Sequence, residues 1–152
     1  MKIGGETLKR FISCILLFLL LLVGCSNNVE KAEEIWKVSP TFSTDYGEMF
    51  GKEGKIGIIG GEVKAGKGQK WMWHFWGSED ISYKEWGIKA VHQTTNKEIN
   101  PIVFKDEKLI PIDKEIQGHA RSQVSFPSPG LWKIKVFIDN KFFDEFVVEV
   151  KN

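Results

Sequence analysis

Leu131-Trp132-Lys133-Ile134-Lys135-Val136-Phe137-Ile138 reads as one alternating strand, and Lys141 to Val150 (KFFDEFVVEV) answers it across Asp139-Asn140. Successive side chains of an extended chain point to opposite faces. Trp132, Ile134, Val136 and Ile138 therefore share one side, with Lys133 and Lys135 on the other. On the return Phe146, Val148 and Val150 face inward. Asp and Asn tolerate the positive φ that a two-residue reversal needs, so the pair predicts a terminal hairpin with a buried face.

Outward from the hairpin the same grammar repeats. Phe126-Pro127-Ser128-Pro129-Gly130 interrupts regular structure, because each proline removes a backbone donor and Gly130 can turn left-handed. It joins the hairpin to a strand at about residues 120 to 126. Further strands are expected at 55–59 (KIGII), 70–76 (KWMWHFW), 86–92 (WGIKAVH) and 101–104 (PIVF), with 38–43 a weaker candidate. No long amphipathic helix is visible, nor any internal repeat. About seven to eight short strands punctuated by Gly, Pro, Asn and Asp predict an all-β, immunoglobulin-like β-sandwich over residues 36–152, with an eight-stranded barrel as the alternative.

The N-terminus has a different character. Lys2, Lys9 and Arg10 oppose a single acid, Glu6, and residues 11–23 (FISCILLFLLLLV) carry no charge. Crossing a bilayer takes about 20 apolar residues, so this run suits a signal-peptide core better than an uncleaved anchor. Leu22-Val23-Gly24-Cys25 follows, with small Gly24 before the cysteine and Ser26-Asn27-Asn28 after it. The tetrapeptide resembles the lipobox of bacterial lipoprotein precursors. That resemblance implies cleavage before Cys25 and a diacylglyceryl thioether on its sulfur, with residues 1–24 lost. One acyl chain binds a membrane marginally, whereas two or three hold durably. The expected address is the extracytoplasmic face of the cell membrane. Residues 25–35, polar apart from Val29, Ala32 and Ile35, read as a tether, or alternatively as a short helix over 29–35.

Composition narrows the rest. The full chain has a formal net charge of +1, and loss of three bases and one acid with the signal takes it to −1. No basic stripe remains to suggest nucleic acid. Cys14 leaves with the signal and Cys25 is lipidated, so no disulfide is available and the core must hold the domain. The six tryptophans, with nine phenylalanines beyond Phe11 and Phe18, supply large groups to bury.

No motif points to catalysis. Gly61 to Gly68 (GEVKAGKG) approaches a phosphate-binding loop but places Gly68 where a magnesium-binding hydroxyl belongs, so it reads as a flexible turn. None of the serines has nucleophile-elbow flanks. His74, His92 and His119 lack metal-ligand spacing, and a metal site would require the fold to gather them with Glu79 or Asp80. The acid pairs at 33–34, 79–80, 106–107 and 144–145 read as solvated charge. The chain is therefore expected to be no enzyme and to need no cofactor or metal.

The unusual segment is Trp71-Met72-Trp73-His74-Phe75-Trp76, apolar on both faces. Trp71, Trp73 and Phe75 point one way, with Trp73 and Phe75 expected to pack on Trp132. Met72, His74 and Trp76 point the other way, either beneath a covering segment or as an exposed platform. His74 and Trp76 are the candidate contact residues.

KWMWHFWG at 70–77, SFPSPGLWKIKVFI at 125–138 and FVVEV at 146–150 together resemble a family of small lipoproteins from spore-forming Gram-positive bacteria, classed as a domain of unknown function. The resemblance spans most of the mature chain. It implies an immunoglobulin-like sandwich on the outer face of the membrane and brings no activity, cofactor or catalytic residue. Two functions follow as expectations: a tethered module that binds cell-wall material or an envelope protein, or an envelope hydrolase or metal-handling lipoprotein built on histidines and loop acids. Cys25→Ala is expected to abolish incorporation of labelled palmitate, and label entering that variant would exclude the assigned anchor.

Overall fold

The computed structural model describes residues 36–77 and 80–152. The signal peptide, Cys25, the tether and Glu79 lie outside them. The fold belongs to the unit Ile35–Asn152.

Ten strands form it: β1 Thr41–Thr44, β2 Gly47–Lys52, β3 Ile56–Ile59, β4 Gln69–Trp76, β5 Trp86–His92, β6 Glu98–Ile99, β7 Ile102–Lys105, β8 Ile116–Val124, β9 Gly130–Ile138 and β10 Lys141–Val150. The described residues contain no helix, and hence none long and apolar enough to cross a membrane. One sheet runs β1-β2-β3-β4-β8-β7 and the other β10-β9-β5-β6, with every ladder antiparallel. The chain is an all-β protein with two sheets sharing one core, a β-sandwich.

The terminal hairpin forms as its sequence dictates. Asp139 and Asn140 turn with φ of 49° and 62°, and Ile138 pairs with Lys141. Two strands escape the sequence pattern. β2 (GEMFGK) has glycines at two of its six positions, and β6 is only two residues long.

The core lies between the inner faces of β3, β4 and β8 on one side and β5, β9 and β10 on the other. Trp73 is at its centre, fully buried, with its indole N–H donating to Ser122 Oγ at 2.8 Å. Trp73 and Phe75 are both core, but the tryptophan they meet is Trp86, at ring separations of 5.1 and 6.0 Å. Trp132 packs instead on Phe126 and His92, reaching Trp71 through Phe126. Alternation assigns a residue to a face but not to a height along the sandwich. Trp132 pairs with His92 at one end of β9 and Trp86 with Ile138 at the other.

Lys133 departs from the expected pattern as well. It is buried on the outer side of β9, 3.4 Å from Glu145 and 4.8 Å from the Trp36 ring centre. An apolar stem with a paired head can occupy such a place. Residues just after Trp36 run beside β10, where Ser39 N–H donates to Val147 O and Ser39 Oγ accepts from Val147 N–H.

Trp73→Ala is expected to destabilise the domain by about 3–5 kcal/mol through the cavity it opens. Ser122→Ala, which strands the buried indole N–H, is expected to cost about 1–3 kcal/mol. Denaturant midpoints of the two variants check this order, and equal midpoints for wild type and Ser122→Ala would exclude the bond as a stabilising one.

Candidate functional site

The outer face of β4 carries Lys70, Met72, His74 and Trp76, and its two halves have opposite fates. The β1–β2 hairpin folds over the half with His74 and Trp76. Phe42 meets Trp76 at 6.4 Å and Tyr46 meets His74 at 5.4 Å. Met49 is buried beneath the hairpin against Gly57, where a Cβ would lie 2.5 Å from Met49 Sδ and 3.0 Å from the Trp76 ring. Gly57 therefore provides the space into which the cover closes. The fold does bring His74 and Trp76 together, 6.2 Å apart. His74 is 1% exposed and Trp76 half-buried, so the covered alternative describes this half of the face.

His74 pairs across the ladder with His119, ring centres 5.2 Å apart. Burial is the leading cause that holds both imidazoles below the ordinary histidine range. The nearby His119 also works against charging His74, and Asp113 opposes that effect. Asp113 Oδ2 accepts from Tyr46 Oη at 2.5 Å while its Oδ1 accepts from Ile116 N–H at 2.7 Å. Those bonds keep the carboxylate below its usual range. His92 lies in the other sheet. Its Nε2 is 3.1 Å from Pro129 O, and Gly130 leaves room for the ring. Two of the three histidines thus converge and the third does not. Among the described residues no group of three metal-ligating side chains assembles. Asp80 binds the backbone of Ser82.

Three of the acids expected to be solvated, Asp106, Asp144 and Glu145, instead reach across strands, whereas Glu33, Glu34 and Glu79 lie outside the described residues. Asp106 holds Arg121, Asp144 holds Lys52 at 2.8 Å, and Glu145 meets Lys133. The loop at Gly61 to Gly68 is pinned rather than free. Ala65 N–H donates to Lys151 O and Gly66 N–H to Phe126 O, both at 2.8 Å. It leads into a strand, not the helix a phosphate-binding loop requires.

The other half of the β4 face is open. A groove of about 670 Å³ crosses β3, β4, β8 and β7 there. The register explains its lining. Ile59 is opposite Met72, Met72 opposite Arg121, Lys70 opposite Gln123, and Gln123 opposite Phe104. Met72 is 39% exposed and Phe104 61%, large for such groups on a sheet with a partner layer. Arg121 is turned toward Asp106 by bonds from Nε and Nη2 at 3.0 and 3.2 Å. Sequence alternation placed Met72 on this face, but Ile59, Phe104, Arg121 and Gln123 come from three other strands. Only pairing register could reveal that row.

The buried imidazoles set a pH dependence. Their folded pKa values lie below the unfolded 6.5, so above 6.5 both states leave them neutral. As pH falls below 6.5 the unfolded chain takes up protons first and stability drops, down through the folded values. The unfolding midpoint is expected to fall between pH 7.5 and 5.5, and less so in His119→Gln. Parallel slopes for the two proteins would exclude the histidine pair as the cause.

The model of a family described as a domain of unknown function (DUF4871) matches residues 27–148. The crystal structure described as that of "a Putative Lipoprotein from Bacillus anthracis" superimposes with a TM-score of 0.61 at 21% identity, covering 77% of this chain and 87% of that one. At that identity the likeness concerns the fold. No curated protein matches.

Proposed function

The chain belongs to the DUF4871 family, and on that premise we propose that it is a lipid-anchored extracytoplasmic binding module, not an enzyme, that meets its partner through the open half of the six-stranded sheet. The observation that carries this reading is the row of half-buried Ile59 and exposed Met72 and Phe104, drawn from β3, β4 and β7. A sheet already packed on one side has no structural need for an unshielded methionine and phenylalanine on the other. Clustered exposed apolar groups rimmed by polar ones mark contact surfaces.

The anchor rests on Leu22 to Cys25, and the description of the Bacillus anthracis structure as a lipoprotein agrees with it. Lipid on Cys25 would hold the module at the cell membrane, within reach of cell-wall material or an envelope protein. We read the strand order as immunoglobulin-like: with β1 and β2 set aside, β3-β4-β8-β7 facing β10-β9-β5-β6 follows the A-B-E-D and G-F-C-C′ arrangement. The hydrolase or metal-handling alternative draws no support from the separation of His92 from the other two histidines.

Met72→Glu is expected to weaken retention of envelope material by the membrane-borne protein about tenfold, as loss of a central apolar contact does. Its effect on stability should stay within about 0.5 kcal/mol, since the residue is on the surface. Undiminished retention by a folded Met72→Glu protein would exclude the open face as the contact.

A further inference from the structure

Granting the reading that the open half-face is the contact surface, we infer that the groove binds a single-chain anionic amphiphile, its chain along Ile59, Met72 and Phe104 and its acid group at Lys70. The groove is recessed, and its roughly 670 Å³ falls within the 300–1,000 Å³ typical of small-molecule sites. No acidic side chain lines it. Lys70 has no ion-pair partner among the described residues, whereas Arg121 is already engaged by Asp106. Lys70 therefore offers the unspent positive charge.

One further feature points to a ligand. Met72, at the centre of the row, has the unbranched polarisable side chain that conforms to a flexible chain. A bare anion would leave Met72 and Phe104 uncovered, and a neutral chain would leave Lys70 unmatched.

The test uses the full chain in phosphatidylcholine nanodiscs and a diazirine derivative of dodecanoic acid, with dodecanoate or dodecanol as competitor. The expected adducts fall on the peptides containing Ile59, Met72 and Phe104, and dodecanoate competes about tenfold better than dodecanol, the margin a desolvated charge pair supplies. Lys70→Glu should lower labelling by a similar factor at an unchanged thermal midpoint. The inference is overturned if adducts scatter over the surface as from a bilayer, if dodecanol competes equally, or if Lys70→Glu labels like wild type. If labelling fails while Met72→Glu still removes envelope retention, the amphiphile is wrong and the contact face stands. If groove labelling succeeds while Met72→Glu keeps retention, the ligand stands and the broader reading falls.

Discussion

Everything in this domain depends on covering the inner face of β4. Trp71, Trp73 and Phe75 place three aromatic rings in a row on one strand. Without a disulfide, their removal from water is the main resource the fold has. A single sheet cannot bury them, so β5, β9 and β10 must close from above, bringing Trp86 and Phe146 onto Trp73. The one polar atom of the Trp73 side chain is satisfied within its own sheet by Ser122, so the closure carries no unmet hydrogen bond there. The contrast with Trp71, whose indole has no such partner, is local to the end of the strand that borders the groove.

Once the inner face is committed, the outer face of β4 becomes the place where structure and function divide. Gly57 lacks the side chain that would hold the β1–β2 hairpin away, so Met49 descends and the hairpin covers His74 and Trp76. Tyr46 and Asp113 fasten its tip. This is a small second core outside the sandwich, and it brings His74 beside His119. Farther along, the hairpin does not reach. There Met72 and Phe104 remain in solvent on either side of β8, which carries Arg121 and Gln123.

Charge is arranged to support this division. Asp106 takes both the backbone N–H and the guanidinium of Arg121 where the ladder between β7 and β8 ends. That leaves Lys70 as the cation of the groove without an acidic partner among the described residues. The resulting surface is apolar along its row and positive at one side, which gives orientation to anything that lies in it.

How much of this could be read from residues alone varies with the range of the forces involved. Alternation and turn chemistry are local, so Leu131 to Val150 announced its hairpin, Asp139-Asn140 its reversal, and the β4 rings their inward face. The all-β sandwich follows from such pieces because each strand has an apolar side to hide. β2 was not legible, since Gly47 and Gly51 break its pattern. Nor was the burial of Lys133, which needs Trp36 and Glu145 from distant positions. His74 looked as available as Trp76 until a hairpin from residues 41–52 was laid over both. The groove belongs wholly to the tertiary structure: Ile59, Met72, Arg121, Gln123 and Phe104 become neighbours through the pairing of four strands. Residue type determined which side chains prefer burial and where the chain turns; register and the path of the covering hairpin, set by long-range packing, decided which apolar groups were left in water.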